Sequence, residues 1–376
     1  MKGLKLPQYK KISLNENIKK IDTKYLYFSV PENYEILVKK GDKVKINDIL
    51  AECNDNVSIV SSVSGKVIEI DKYIKIENDF KETIKKINVN NIDKNKFIKL
   101  LKNSGIKGMG GAGFPAYKKY DGEMTTLVVN AVECEPYRTS DYALVREHAK
   151  DIIDAIKKIM EINNINKTII AVKKVSKMRQ YFNEYLTDDI TIYETKNIYP
   201  AGWSKGLIKE ILNIDIKTHS KDLGIVVNNV ATIYAIGEAL KGRFLDSRII
   251  TITGNTEKKG NYKIKMGTDI KDIIETDNLI IGGPMMGKKY DNNFITPETS
   301  CLFINNDEFI ETTCIRCGKC IKVCPVDLEP VLIKENVDNK EKLKQLDINK
   351  CISCGLCSYI CPARIDLREI IKKARR

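Results

Sequence analysis

Eight of the eleven cysteines lie in two runs near the C-terminus, Cys314, Cys317, Cys320 and Cys324, then Cys351, Cys354, Cys357 and Cys361. Each run reads CxxCxxCxxxCP, a spacing that holds iron–sulfur cubes in pairs. With two residues between ligands, three sulfurs fold around three iron corners of one cube while the intervening amides turn toward its sulfides. The fourth thiolate, followed by Pro325 or Pro362, points away from its own loop and reaches the other cube. The spacing therefore assigns Cys314, Cys317, Cys320 and Cys361 to one [4Fe-4S] cluster, and Cys351, Cys354, Cys357 and Cys324 to a second.

Other uses of these cysteines fit less well. Structural zinc takes one or two CxxC pairs, often with histidine, and His148 and His219 are both remote from the runs. A disulfide framework belongs to small chains in oxidising compartments, whereas this chain has 376 residues and opens without a charged-then-apolar leader. Cys53, Cys134 and Cys301 stand outside the pattern and read as packing residues.

A second chemical signal is a loop with five glycines in nine residues, Gly105, Gly108, Gly110, Gly111 and Gly113, followed by Phe114 and Pro115. It matches GxGxxG but fails the context of the dinucleotide fingerprint, because a helix precedes it and a strand follows. Without Cβ atoms such a loop can still come close to a planar or anionic ligand and present successive amides to phosphate oxygens. Downstream, the strand Leu127 to Asn130 runs into AVECEPY, which places Glu133 and Glu135 at a strand end, a common position for ligand-binding residues in an open α/β sheet.

The elements that position these residues predict a multidomain α/β protein. Residues 1–80 alternate short β runs with turns. Val38 to Val44 and Ser64 to Val67 resemble the barrel-sandwich fold of biotinyl and lipoyl carriers, but Ser61, Ser62 and Val63 stand where a carrier lysine would be, so a structural or docking module is expected. Residues 90–240 alternate helix and strand: a helix from Phe97 to Ser104, strands at Thr126 to Asn130, Thr168 to Val172, Ile190 to Tyr193 and Ile225 to Asn228, and a helix from about Asp141 to Ile162. Ile152, Ile153, Ile156, Ile159 and Met160 recur there at helical spacing, with Ser140 as the expected N-cap. A largely parallel sheet follows from this order. Residues 243–292 return to strands around a short helix near Ile270 to Glu275, a β-grasp-like insert, and residues 305–376 form a dicluster unit whose two cysteine loops are an internal repeat joined by a helical, polar connector.

GIKGMGGAGFP and NAVECEPY resemble the flavin- and NADH-binding subunit of respiratory complex I, and more closely the C subunit of the Rnf ion-translocating electron-transport complex. REHAKDII at His148, LGIVVNNV, TITG, GGPMMG, CIRCGKC and SYICPA extend the resemblance from about residue 30 to the C-terminus. It implies FMN cradled by Gly108, Gly110, Gly111, Gly113 and Phe114, with Lys118 at its phosphate and Asn228 and Asn229 at its polar edge. It further implies catalytic roles for Glu133 and Glu135 at the nicotinamide or ribose of NAD(H), an SLBB-type insert and a ferredoxin-like dicluster domain. The expected activity is that of an NADH dehydrogenase or ferredoxin–NAD oxidoreductase component: NADH gives two electrons as hydride, each cluster takes one, and flavin stands between them.

The chain also departs from these relatives. They carry YPQGGE where it has Tyr199-Pro200-Ala201-Gly202-Trp203-Ser204, an acidic segment is replaced by Lys173, Lys174 and Lys177, and an N-terminal glycine, histidine and proline signature is missing. The alternative reading is thus a soluble electron-transfer adaptor for a reductase such as proline reductase, without its own nicotinamide site. Expected partners are other redox subunits, including the membrane-embedded Rnf subunits, and ferredoxin or a soluble reductase. The formal charge of +13 comes from scattered lysines rather than one stripe, which argues against nucleic acid. No apolar run approaches the ~20 residues of a membrane span, and exposed cubane clusters suit a reducing cytoplasm. The expectation is a soluble cytoplasmic chain whose membrane contact, if any, is peripheral.

Overall fold

The computed structural model describes residues 2–216, 218–289 and 293–375, so the expected domain limits at residues 1, 292 and 376 lie outside the described residues. The N-terminal β-domain starts at Tyr25. Strands Tyr25–Ser29, Tyr73–Asn78, Gly65–Ile70 and Lys43–Val44 form one sheet, and Glu35–Ile36, Ile49–Glu52 and Ile59–Val60 a second. Alternation sets the inward face: Leu26, Phe28, Val67, Ile74 and Ile76 are buried and share a core with Leu50 and Val60 of the smaller sheet. The tip that lacks a carrier lysine is itself buried, and the Ser62 hydroxyl donates to the Met266 carbonyl at 2.7 Å. It is a joint with the insert rather than a swinging arm.

The α/β domain carries a four-stranded, all-parallel sheet in the order Ile190–Thr195, Lys167–Lys173, Thr126–Ala131, Ile225–Asn229. The helix Ser140–Asn163 covers it, with Ile152, Ile153, Ile156 and Ile159 turned inward; each buried isoleucine is worth about 1.5–3 kcal/mol relative to exposure. Val230–Leu240 packs against this helix at Gly237, where an added Cβ would stand 2.6 Å from the Ala155 methyl. Ser140, expected as N-cap, is instead the first helical residue after Thr139, and the Glu133 carboxylate accepts the Asp141 amide at 2.8 Å. A carboxylate from the preceding loop thus replaces a local cap.

The insert is a six-stranded mixed sheet in the order Lys19–Ile21, Gly260–Lys265, Ser247–Gly254, Cys301–Ile304, Leu279–Ile281, Lys288–Lys289, with the short helix Ile270–Ile273. Its extent differs from the expected 243–292. Cys301–Ile304 lies inside the sheet, and Lys19–Ile21 comes from the opposite end of the chain to pair in parallel with Gly260–Lys265. All four residues of Cys301–Ile304 are buried, so the strand has no period-2 signature to betray it.

Beyond Ile304 the described chain has no strands. Helices Lys319–Val323 and Leu356–Tyr359 each follow a cysteine loop, and Pro330–Glu335, Lys340–Gln345 and Leu367–Ala374 pack beside them. The repeat is visible in the backbone. Arg316, Gly318 and Asp327 take positive φ in the first run, and Ser353, Gly355 and Arg364 take it at the matching positions of the second.

Candidate functional site

The connections from the sheet reverse between Thr126–Ala131 and Ile225–Asn229, which makes a crevice outside their C-terminal ends. The glycine loop folds over it. Helix Lys94–Asn103, capped by Asp93 on the Lys96 amide at 2.8 Å, delivers the loop, and Phe97, Leu100 and Leu101 bury its inner face. Within the loop the Gly108 amide donates to the Phe114 carbonyl at 2.7 Å and the Gly113 amide to the Gly108 carbonyl at 3.3 Å. From behind, the Thr232 hydroxyl accepts the Met109 amide at 2.9 Å and the buried Arg248 guanidinium donates to the Met109 carbonyl. So anchored, Gly110, Gly111 and Ala112 face a cleft of about 860 Å³, within the usual range for ligand pockets.

Of the residues expected at this site, Gly110, Gly111, Glu133, Glu135 and Asn229 line the cleft together. The others fall outside its lining. Gly108 and Gly113 close the loop on itself, and Phe114 sits on its outer side, 48% exposed. Lys118 turns its ammonium over the Tyr117 ring. Asn228 is fully buried, donating to the Tyr120 hydroxyl at 2.6 Å and accepting from Lys119 at 2.9 Å. Lys119 also donates to the Val227 carbonyl at 2.8 Å, so it is tied into the sheet end, and burial lowers its pKa to about 8. The cations that do line the cleft are Lys107, Arg138 and Lys288. Lys107 lies inside the glycine motif and Arg138 directly after AVECEPY, but nothing in their spacing separates them from solvated neighbours.

Glu133 stands at φ +41° with its carboxylate buried. Lys10 approaches it to 3.7 Å and Arg138 Nε to 3.7 Å. Burial outweighs both cations, and with Asp141 nearby it lifts the Glu133 pKa to about 7. Glu135 is also raised by burial, but Oε1 is committed to the amides of Met285 and Met286 at 2.7 and 3.0 Å. Arg138 stays charged: burial opposes its charge, yet Asp141, at 2.8 Å from Nη2, and Glu133 overcome it. Its Nε is buried without a hydrogen-bond acceptor. A buried donor at the wall of a cleft fits an anionic or carbonyl-bearing ligand, and bare glycine backbone beside it fits the close approach of a flat ring. The residues present are therefore chemically suited to FMN.

The cysteines ring two separate cavities. Cys314, Cys317, Cys320 and Cys361 line one, and Cys324, Cys351, Cys354 and Cys357 line the other, the same two sets that the spacing predicts. All eleven cysteines are free thiols. Backbone amides turn toward sulfur, from Leu328 to Cys324 at 3.3 Å and from Ser353 to Cys351 at 3.4 Å. Among the described residues no three His, Cys, Asp or Glu side chains converge on a single ion. Thiols set around a cavity rather than a point suit a cluster with bulk of its own.

The second cavity adjoins the cleft. Ile352 and Cys354 line both, whereas the first cavity shares no lining residue with the cleft. The joint is polar and tight. The buried Tyr199 hydroxyl donates to the Cys354 carbonyl at 2.7 Å, and Arg368 donates to the carbonyls of Met285 and Gly287. A Cβ on Gly355 would stand 2.4 Å from the Met285 carbonyl oxygen. The loop at residues 282–287, held by Glu135 on one side and Arg368 on the other, thereby ties the cleft to the cysteine loop.

Three family models match the chain in order. Residues 1–91 match the RnfC barrel sandwich hybrid domain, residues 101–238 the Nuo51 FMN-binding domain and residues 313–365 a 4Fe-4S dicluster domain. The C subunit of the proton-translocating ferredoxin:NAD(+) oxidoreductase complex of Clostridium ljungdahlii is 32% identical over 341 residues, covering 79% of this chain and 74% of that protein. The C subunit of an ion-translocating oxidoreductase complex of Buchnera aphidicola from Acyrthosiphon pisum is 36% identical over 276 residues, 66% of this chain and 58% of the relative. This chain thus spans little more than half of the Buchnera protein's length. An NAD+-reducing [NiFe]-hydrogenase in its H2-reduced state shares the fold, with a TM-score of 0.51 at 15% identity over 76% of this chain and 62% of the hydrogenase chain. On its domain order and these identities, the chain belongs to the family of C subunits of the ion-translocating Rnf oxidoreductase complexes.

Proposed function

We propose that the chain moves electrons between NAD(H) and partner redox proteins, through FMN in the cleft and two [4Fe-4S] clusters taken in a set order. The observation that carries this reading is the shared wall of Ile352 and Cys354. The cluster on Cys324, Cys351, Cys354 and Cys357 stands next to the cleft, and the one on Cys314, Cys317, Cys320 and Cys361 lies beyond it. When bound, FMN exchanges two electrons with a hydride donor and one at a time with iron–sulfur centres.

The chain's own groups have distinct tasks. Gly110 to Ala112 offer bare backbone, Arg138 and Lys107 offer cationic donors to phosphate or carbonyl oxygen, and Glu133 can hold or release a proton near neutral pH. Glu135 and Tyr199 position the loop and the cysteine carbonyl at the joint. Cys317 is exposed, as is Ile315 at 70%, so the farther cluster is the one a partner protein reaches. Partner subunits of an Rnf-type assembly fit this place. No helix among the described residues is long and apolar enough to cross a membrane; contact with a membrane then runs through those partners.

One observation favours the alternative adaptor without a nicotinamide site. The N-terminal strap reaches the crevice: the Gln8 carbonyl accepts the Tyr137 amide at 2.8 Å and its side chain accepts from Lys173 at 2.8 Å, beside the strand end where a dinucleotide would extend. Anaerobic addition of NADH to flavin-loaded protein separates the two. Bleaching of flavin and cluster absorbance supports the nicotinamide route; flavin and iron both present without bleaching supports the adaptor.

A further inference from the structure

Trp203 is the only tryptophan of the chain. It holds the N-cap position of helix Ser204–Leu212 yet makes no side-chain cap, where Ser, Thr, Asp or Asn would ordinarily supply one. The helix buries Leu207 and Ile208 in a core with Ala201 and Val128 that closes without the indole. The side chain is half-buried and lines the cleft instead.

Its place is well fixed. The Trp203 amide donates to the Pro200 carbonyl at 3.0 Å, the Asn130 side chain donates to the Gly202 carbonyl at 2.8 Å, and a Cβ on Gly202 would stand 3.2 Å from the Cys134 sulfur. The turn is therefore clamped to the end of strand Thr126–Ala131. Another part of the cleft wall is bare backbone at Gly110 and Gly111, and a Cβ on Gly111 would meet nothing within 4 Å. A cleft lined by open backbone and by an aromatic plane fits a flat, conjugated ring, since such rings gain from offset stacking on indole.

We infer that Trp203 is the stacking wall of the cleft, against which the planar ring of the bound ligand lies, making it a specificity-determining residue. The inference rests on the proposed flavin cleft, and the ring is either the isoalloxazine of FMN or an aromatic ring of the nicotinamide nucleotide. The test titrates cluster-loaded, flavin-free protein anaerobically with FMN and then with NAD+, in wild type, Trp203→Phe and Trp203→Leu. Iron content serves as the check on folding. Stacking on an aromatic side chain is worth about tenfold in affinity.

Trp203→Leu is expected to weaken FMN about tenfold while Trp203→Phe stays within about threefold, and bound ligand should shield Trp203 from acrylamide in the wild type. The same pattern for NAD+, with FMN unaffected, would assign the wall to the nucleotide's ring and equally supports it. If wild type and Trp203→Leu bind both ligands alike and acrylamide reaches Trp203 equally with and without them, the wall is refuted while the flavin cleft stands. If wild type takes up no FMN, the flavin reading fails and this inference fails with it.

Discussion

Glu133 is where burial and charge compensation compete most directly, and the outcome is testable. Its carboxyl has an ordinary value of 4.5 and is lifted to about 7 in the fold. Between these values the unfolded chain has released the proton while the folded one keeps it. Stability from this group is therefore full below pH 4.5, falls as pH rises toward about 7 and changes no further above that. Glu133→Gln should abolish this decline, seen as a smaller change in unfolding midpoint between pH 5 and 7.5; an unchanged slope would mean that Lys10 and Arg138 keep Glu133 ionised throughout. Lys10→Met removes a charge that lowers the Glu133 value, so the infrared band of its protonated carboxyl should persist to higher pH. That Glu133, Gly110 and Gly111 line one cleft was legible in the sequence, Glu133 from its place at a strand end and the glycines from their density; Gly108 and Gly113 fall outside that lining. The place of Lys118 was not legible, because the short helix Ala116–Lys119 carries its ammonium over the Tyr117 ring rather than into the cleft lining.

Two elements position the chemistry, the glycine loop and the joint at residues 282–287. Gly111 has φ +108°, a conformation that costs a β-branched residue more than the roughly 1–2 kcal/mol of a left-handed helical position. Gly111→Val should purify with its full iron complement but little or no FMN; retention of flavin at the wild-type level would remove the loop from the site. At the joint, Tyr199→Phe leaves the buried Cys354 carbonyl without its donor, a loss of about 1–3 kcal/mol that should appear as a lower melting temperature and earlier release of iron on heating. Periodicity exposed the elements with one wet face, such as the Ser140–Asn163 helix. It missed Cys301–Ile304, buried throughout, and Lys19–Ile21, whose partner lies more than two hundred residues away at Gly260–Lys265.

At the scale of the molecule, the N-terminal strap and the cysteine loops tie the separate units to one another. Residues ahead of Tyr25 reach three of them: Lys2 pairs with Asp327 of the dicluster unit at 2.5 Å, Lys10 donates to the Glu133 carbonyl of the α/β domain at 2.5 Å, and Lys19–Ile21 joins the insert. The strap carries no motif or period, so sequence alone could not place it. The grouping of the cysteines around two cavities was legible because their spacing is repeated; the order of the two cavities relative to the cleft needed the three-dimensional joint. The most direct test follows single electrons. Photoreduced FMN is generated in anaerobic protein lacking one cluster, with Cys317→Ala or Cys354→Ala leaving about four of about eight irons, and reduction of the remaining cluster is timed by absorbance and spin resonance. Fast reduction of the cluster on Cys324, Cys351, Cys354 and Cys357 is expected in Cys317→Ala, and much slower reduction of the other in Cys354→Ala. Equal rates, or the reverse order, would contradict the proposed route.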